Sequence, residues 1–348
     1  MDIKKHVHNF ISNKKLNEGI NPLVLKHVYN FVNKKKLTEG LYTTQKGEDD
    51  VIRPDLKYYA FDWDDNIMYM PTKIIVLSKN EEEVPMSTEE FAEYRHQIGK
   101  EEFNFKGTTI VGFAPDPFRY FGEQGNEGFI ADAMTAPVGP AWNDFVECIN
   151  GGSIFAIITA RGHNPETLKE GIFNLISNNH NGINSKTLLE NLKNYHDIVS
   201  DLNEDIDEKT FRPEYEGSDL IEDYLERCVM APVSFRAGTA ANPEEGKKVA
   251  LRKFITYCRE MAKELVDSIM KKESGVSLED LVPKFKNDIA NQEISQSVDE
   301  FVKQHMKLGF SDDDERNVTS MEDMLSTEYP ENPVSLYLTK GGEKKKVK

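Results

Sequence analysis

Residues 58–67 read YYAFDWDDNI: four aromatic or apolar positions, then three aspartates within four residues. The run Tyr58–Phe61 has the composition of a short buried strand. A buried strand that ends in carboxylates needs a partner for them, because unpaired buried charge is costly. Asp62 and Asp64 are two apart, so on an extended segment both face the same side. The stretch therefore reads as a strand delivering two carboxylates to one site.

The same pattern recurs downstream. SIFAIIT, residues 153–159, is an apolar run ending in Thr159 and followed by Ala-Arg-Gly. MKLGFSDDD, residues 306–314, is a third, ending in Asp312, Asp313 and Asp314. Between these lie helical segments. WNDFVECING (142–151) stops at a Gly, and PETLKEGIFNLISN begins with Pro165 at a favoured first-turn position. KKVALRKFITYCREMAKELVDSIMKK (247–272) carries Leu251, Ile255, Cys258, Leu265 and Ile269 on one stripe. MAPVSF (230–235) and VSLYLT (334–339) read as further strands. Strands alternating with helices predict an α/β sheet, whose ligand site lies at the carboxyl ends of its strands. Carboxylates gathered there repel unless a cation sits among them. An oxygen-only donor set without His or Cys suits Mg²⁺, which in turn favours a phosphate-bearing substrate.

These segments resemble the haloacid dehalogenase (HAD) superfamily of phosphohydrolases. Its motifs are an apolar strand ending in D-x-D, a strand ending in Thr or Ser (here TARG), a Lys opening a helix, and an acid pair after a strand. All four occur in order across roughly residues 55–340. The resemblance implies a three-layer Rossmann-like core with a parallel sheet and a cap inserted after the first motif, about 72–140. It implies Asp62 as nucleophile, Asp64 as general acid and base, Thr159 as a phosphoryl hydrogen-bond donor, and Lys247 as charge balance. Lys248 is adjacent, and the family's K-x-x-A-L spacing favours Lys247. Mg²⁺ would be held by Asp62, Asp312 and the backbone carbonyl of Asp64, with Asp313 supporting either the metal or Lys247. Asn317 matches a polar position beyond the acid pair. A helical insertion is expected over about 256–300.

Other features are weaker. Arg161 is a candidate substrate contact, with His163 beside it, although a solvated loop pair is the expectation preferred here. Asp65 is expected to cap its turn. TKIIVLSKNEEEVPMS (72–87) reads as a hairpin with a solvated acidic tip, and DPFRYFGEQGNEGF (116–129) as aromatic packing. Residues 180–228 receive no assignment. The first fifty residues contain a duplicated segment, HVHNFISNKKLNEG from His6 and HVYNFVNKKKLTEG from His27. Each copy reads as a short helix, a helical appendage that docks on the main domain or on a protein partner. KGGEKKKVK at 340–348 is expected to be a disordered basic tail.

The formal net charge of −17 opposes non-specific binding to nucleic acid. No apolar run reaches the ~20 residues that span a bilayer. Cys148, Cys228 and Cys258 are odd in number and widely spaced, as expected of reduced thiols in the cytoplasm. A small phosphorylated substrate is the expected partner. The alternatives are a polynucleotide end phosphatase and a non-catalytic binding module on the same fold.

Overall fold

The computed structural model describes residues 57–202, 217–234, 243–274, 302–303, 306–330 and 334–348. The duplicated segment in residues 1–50 and much of the expected insertion at 256–300 lie outside them.

Strand β1 (Lys57–Phe61) is central to a six-stranded sheet. It pairs in parallel with β6 (Phe155–Thr159) on one side and β8 (Lys307–Asp312) on the other. Beyond β6 lies β7 (Val229–Pro232), again parallel. Beyond β8 lies β9 (Val334–Leu338), also parallel, and then β10 (Lys345–Lys346), antiparallel. Every residue of β6 is buried, as a strand flanked by parallel neighbours and covered by helices requires. The central sheet is thus mixed but mostly parallel, with five strands running the same way and β10 opposed.

The helices around it follow the sequence periodicity. In α3 (Trp142–Asn150), Trp142, Phe145, Cys148 and Ile149 are buried on one face. Helix α4 (Pro165–Ser177) starts where the sequence predicts: Pro165 opens it, and the Asn164 side chain accepts from the Glu166 amide at 3.1 Å. Helix α7 (Pro243–Ser274) presents Leu251, Phe254, Ile255, Cys258 and Ala262 inward. Among the described residues of the unassigned region are the helices α5 (Ser185–Leu202) and α6 (Gly217–Arg227), the latter burying Ile221, Tyr224 and Leu225. The three cysteines are buried and unbonded. No helix among the described residues is long and apolar enough to cross a membrane.

Between β1 and β6 the chain builds a second sheet, antiparallel throughout, in the order β3-β2-β5-β4. Its strands are β2 (Ile74–Ser78), β3 (Glu83–Met86), β4 (Phe103–Phe105) and β5 (Thr108–Phe113). The β2–β3 hairpin matches its sequence, and its tip is exposed, with Glu81 at a φ of 64°. Helix α1 (Thr88–Tyr94) follows, started by a capping box between Ser87 and Glu90. Val76, Met86, Ile98, Phe103, Phe105 and Ile110 form a small core of their own. Helix α2 (Asn126–Ala133) returns the chain to the main domain. The aromatic run before it divides: Phe129 is buried, whereas Phe118 and Tyr120 are exposed.

One expectation is overturned at the carboxyl end. The basic tail is ordered as strand β10, and Leu336 both receives a bond from the Val347 amide at 2.8 Å and donates to Lys348. Lys344 reaches back to Asp144 on α3. The lysines are tolerated because this is an edge strand, where exposed charge does not oppose pairing.

Candidate active site

Because β1, β6 and β8 are parallel neighbours, Asp62, Thr159 and Asp312 emerge from the same edge of the sheet. The oxygens of Asp62, Asp312 and Asp313 lie within 4.8 Å of one another. All are carboxylate donors, the set that a hard divalent cation such as Mg²⁺ takes.

Helix α7 supplies the counter-charge. Lys247 is 2% exposed, with its Nζ 2.7 Å from Asp312 Oδ2 and 3.1 Å from Asp62 Oδ2. Burial alone would lower its proton affinity, but Asp312 and Asp62 raise it, so the ammonium stays charged. Lys248 points elsewhere, to Glu245 at 2.6 Å. Of the two adjacent lysines, Lys247 is the one in the cluster. Burial drives the Asp62 carboxyl up to about 7, against the pull of Lys247 and with help from Asp312 and Asp64. Burial also pushes Asp313 well above the usual range, followed by repulsion from Asp312 and Asp62. A cluster in which carboxylates resist ionisation is one that a further cation would relieve.

Asp312 is the most constrained of the three. Its Oδ1 accepts from Asn317 Nδ2 at 2.9 Å and from the Asp314 amide at 2.9 Å. Asp314 caps helix α8 (Glu315–Glu328), accepting from the Arg316 amide at 3.0 Å. The acid triplet thus divides its labour: Asp312 and Asp313 turn inward, and Asp314 starts the next helix.

The turn after β1 is held by Asn66, which is fully buried. Its Nδ2 donates to the Asp62 carbonyl at 2.9 Å and to Ser311 Oγ at 3.0 Å, and its Oδ1 accepts from Thr339 Oγ1 at 2.8 Å. One amide therefore ties β1, β8 and the end of β9 together. Gly139 passes so close that a Cβ there would meet the Asn66 carbonyl oxygen at 2.4 Å. Asp65 occupies the turn at a φ of 55°, a conformation Asp tolerates, and its amide donates to the Met68 carbonyl at 2.8 Å.

Asp64 is not among the convergent carboxylates. It is gripped by Arg161, whose Nη2 lies 2.6 Å from Oδ1 and whose Nε lies 2.8 Å from Oδ2. A side-chain metal contact from Asp64 is therefore not formed, leaving its backbone carbonyl as the expected ligand. Arg161 and His163 are also not the solvated pair expected from the sequence: they are 1% and 0% exposed. The guanidinium lies over the rings of Phe121 and Phe129, at 4.8 and 5.1 Å, and donates further to Thr72. Its Nη1 meets His163 Nε2 at 3.0 Å, so that nitrogen accepts and Nδ1 carries the proton towards Asn126 Oδ1 at 3.0 Å. Burial, and then Arg161, lowers the His163 imidazole to about 4, which keeps it neutral. The expected substrate contact from Arg161 is thus taken up by an internal network that orients Asp64.

Thr159 is fully buried, and its Oγ1 accepts from the Arg161 amide at 3.3 Å. Sequence reasoning missed Asn66, Asn126, Thr72 and Thr339, isolated polar residues whose roles depend on distant partners. No protein-family model, curated protein or solved structure matches the chain.

Proposed function

We propose that the chain is a Mg²⁺-dependent phosphohydrolase of the HAD type, acting on a phosphate monoester. The observation that carries this reading is the convergence of Asp62, Asp312 and Asp313 at the carboxyl ends of adjacent parallel strands, bridged by buried Lys247. The antiparallel sheet inserted after β1 would serve as the cap.

In this mechanism an Asp62 oxygen attacks phosphorus, and the bond from phosphorus to the leaving oxygen breaks. Asp64 delivers a proton to that oxygen, then accepts one from the water that attacks the aspartyl-phosphate. Hydrolysis releases inorganic phosphate and regenerates the Asp62 carboxylate. Thr159 would donate to a phosphoryl oxygen, and Lys247 would offset charge on substrate and intermediate. Arg161 would hold Asp64 in position. The ion would be held by Asp62, Asp312, Asp313 and the Asp64 carbonyl, and would supply charge stabilisation for the phosphoryl oxygens.

The test is hydrolysis of p-nitrophenyl phosphate with Mg²⁺. Asp62→Asn should lose at least about 10³-fold in kcat/KM, because no other nucleophile is placed to attack. Activity that survives this substitution unchanged refutes the assignment.

A further inference from the structure

Arg161 takes both oxygens of Asp64, and the groups that hold Arg161 in turn trace back to the segment inserted between β1 and β6. Thr72, at the start of that segment, accepts from Nη2 at 3.1 Å. Phe121 and Phe129, near its end, pack against the guanidinium face. His163 meets Nη1 at 3.0 Å and is fixed by the same segment. Asn126 Oδ1 lies 3.0 Å from its Nδ1, the Gly122 backbone bonds to its ring, and Phe129 packs on it with ring centroids 4.9 Å apart. The Gly162 amide, between the two side chains, donates to the Phe121 carbonyl at 2.7 Å.

The residue types suit this arrangement. A planar guanidinium offers Nε and Nη2 to a carboxylate edge-on, which leaves Nη1 to be steered by a second group. That group must accept a hydrogen bond without adding charge, as a neutral imidazole does. A carboxylate there would compete with Asp64 for the same cation. An apolar side chain would leave Nη1 buried and unpaired.

We propose that His163 and Asn126 are positioning residues for Asp64, acting through Arg161, so that the inserted segment aims the acid–base carboxylate as well as covering the site. The inference rests on the phosphohydrolase reading, in which Asp64 serves the leaving oxygen. As the phosphorus–oxygen bond breaks, its electron pair stays on that oxygen, and the proton from Asp64 neutralises it. A weakly basic phenolate departs with little help, whereas a more basic one depends on the proton. Loss of aim therefore penalises esters according to the basicity of what leaves, while general damage to the fold penalises all alike. The ratio kcat/KM isolates this step, because water attack on the aspartyl-phosphate follows release of the phenol and does not enter it.

The experiment measures kcat/KM of the full chain with Mg²⁺ on phenyl phosphate and p-nitrophenyl phosphate, which are similar in shape and equal in charge but differ widely in leaving-group basicity. His163→Leu removes the acceptor for Nη1 and should lose about tenfold more on phenyl phosphate than on p-nitrophenyl phosphate. Asn126→Ala, at a half-buried position that opens α2, should fold and show the same bias at about threefold. His163→Gln keeps an acceptor for Nη1 and should hold the ratio between the two esters within about twofold of that of the unsubstituted chain. Circular dichroism establishes that each variant is folded; should His163→Leu not fold, Asn126→Ala decides in the same two directions. Equal losses on the two esters, or no loss on either, overturn the positioning role and leave the phosphohydrolase reading intact. A His163→Gln variant as biased as His163→Leu overturns the hydrogen bond to Arg161 as the link. Absence of turnover by the unsubstituted chain with both esters overturns the phosphohydrolase reading and this inference with it.

Discussion

Lys247→Met should make the carboxylate cluster a liability, and its cost can be bounded. At an effective dielectric of about 20, the contacts at 2.7 and 3.1 Å are each worth roughly 5–6 kcal/mol of gross attraction. Mutual repulsion among three carboxylates within 4.8 Å is about 3–4 kcal/mol per pair on the same scale. Without the ammonium that repulsion stands alone, but the carboxylates have an escape by taking up a proton. Protonating one carboxyl of ordinary affinity, 3.8, at pH 7 costs about 4 kcal/mol and removes two of the three pair repulsions, which holds the penalty well below their sum. A loss of about 3–4 kcal/mol at pH 7.5 is therefore expected, in the range for breaking a buried ion pair. Urea unfolding followed by the fluorescence of buried Trp63 and Trp142 measures it. The variant's carboxyls have raised native proton affinities, so the deficit appears as pH rises and shrinks as pH falls towards 5. Excess Mg²⁺ should also reduce it by neutralising the same oxygens. A loss below about 1 kcal/mol at pH 7.5, or one that does not narrow at pH 5, refutes this account of the cluster.

Asn66→Ala leaves the Thr339 hydroxyl and buried groups on β1 and β8 without partners, and should cost about 2–4 kcal/mol in the same assay. His163 has its proton affinity lowered from 6.5 to about 4, so the unfolded chain binds that proton more tightly. Its contribution to stability is present above pH 6.5 and lost as pH falls towards 4; His163→Gln should flatten that part of the pH–stability curve, and an unchanged slope would contradict the assignment. Deleting residues 341–348 removes β10 and the Lys344–Asp144 contact. It should lower stability by about 1–2 kcal/mol in urea, whereas a disordered tail would leave the midpoint unmoved.

Much of the core was legible because its signals are local. Tyr58–Phe61, Phe155–Thr159 and Lys307–Leu308 announce strands by composition, and Asn164–Pro165 marks a helix start within two residues. The aspartates at the strand ends follow from the same logic, since a charge after a buried run must face a site. What the sequence could not disclose were pairings at long range. Arg161 and His163 looked like loop residues, because their burial depends on Phe121, Phe129 and Asn126 arriving from the inserted segment. Asp64 and Asp62 have the same side chain, and their distant partners, Arg161 for one and Lys247 for the other, separate their environments. In residues 180–228 high polarity masked α5 and α6, whose apolar residues are few but correctly spaced. The basic tail looked unstructured, because an edge strand needs a partner rather than an apolar face.

The position of β1 in the sheet also constrains how the molecule is made. Tyr59 pairs with Phe155 on one side and with Gly309 on the other, and Asn66 lies 245 residues from Ser311. On a ribosome adding about 5–20 residues per second, β1 emerges many seconds before its second neighbour exists. Throughout that interval the aromatic strand is an open edge, vulnerable to non-native pairing. Nascent chains that end before residue 307 lack both β8 and two of the three clustered carboxylates, so the candidate site and the native topology are completed by the same late docking event.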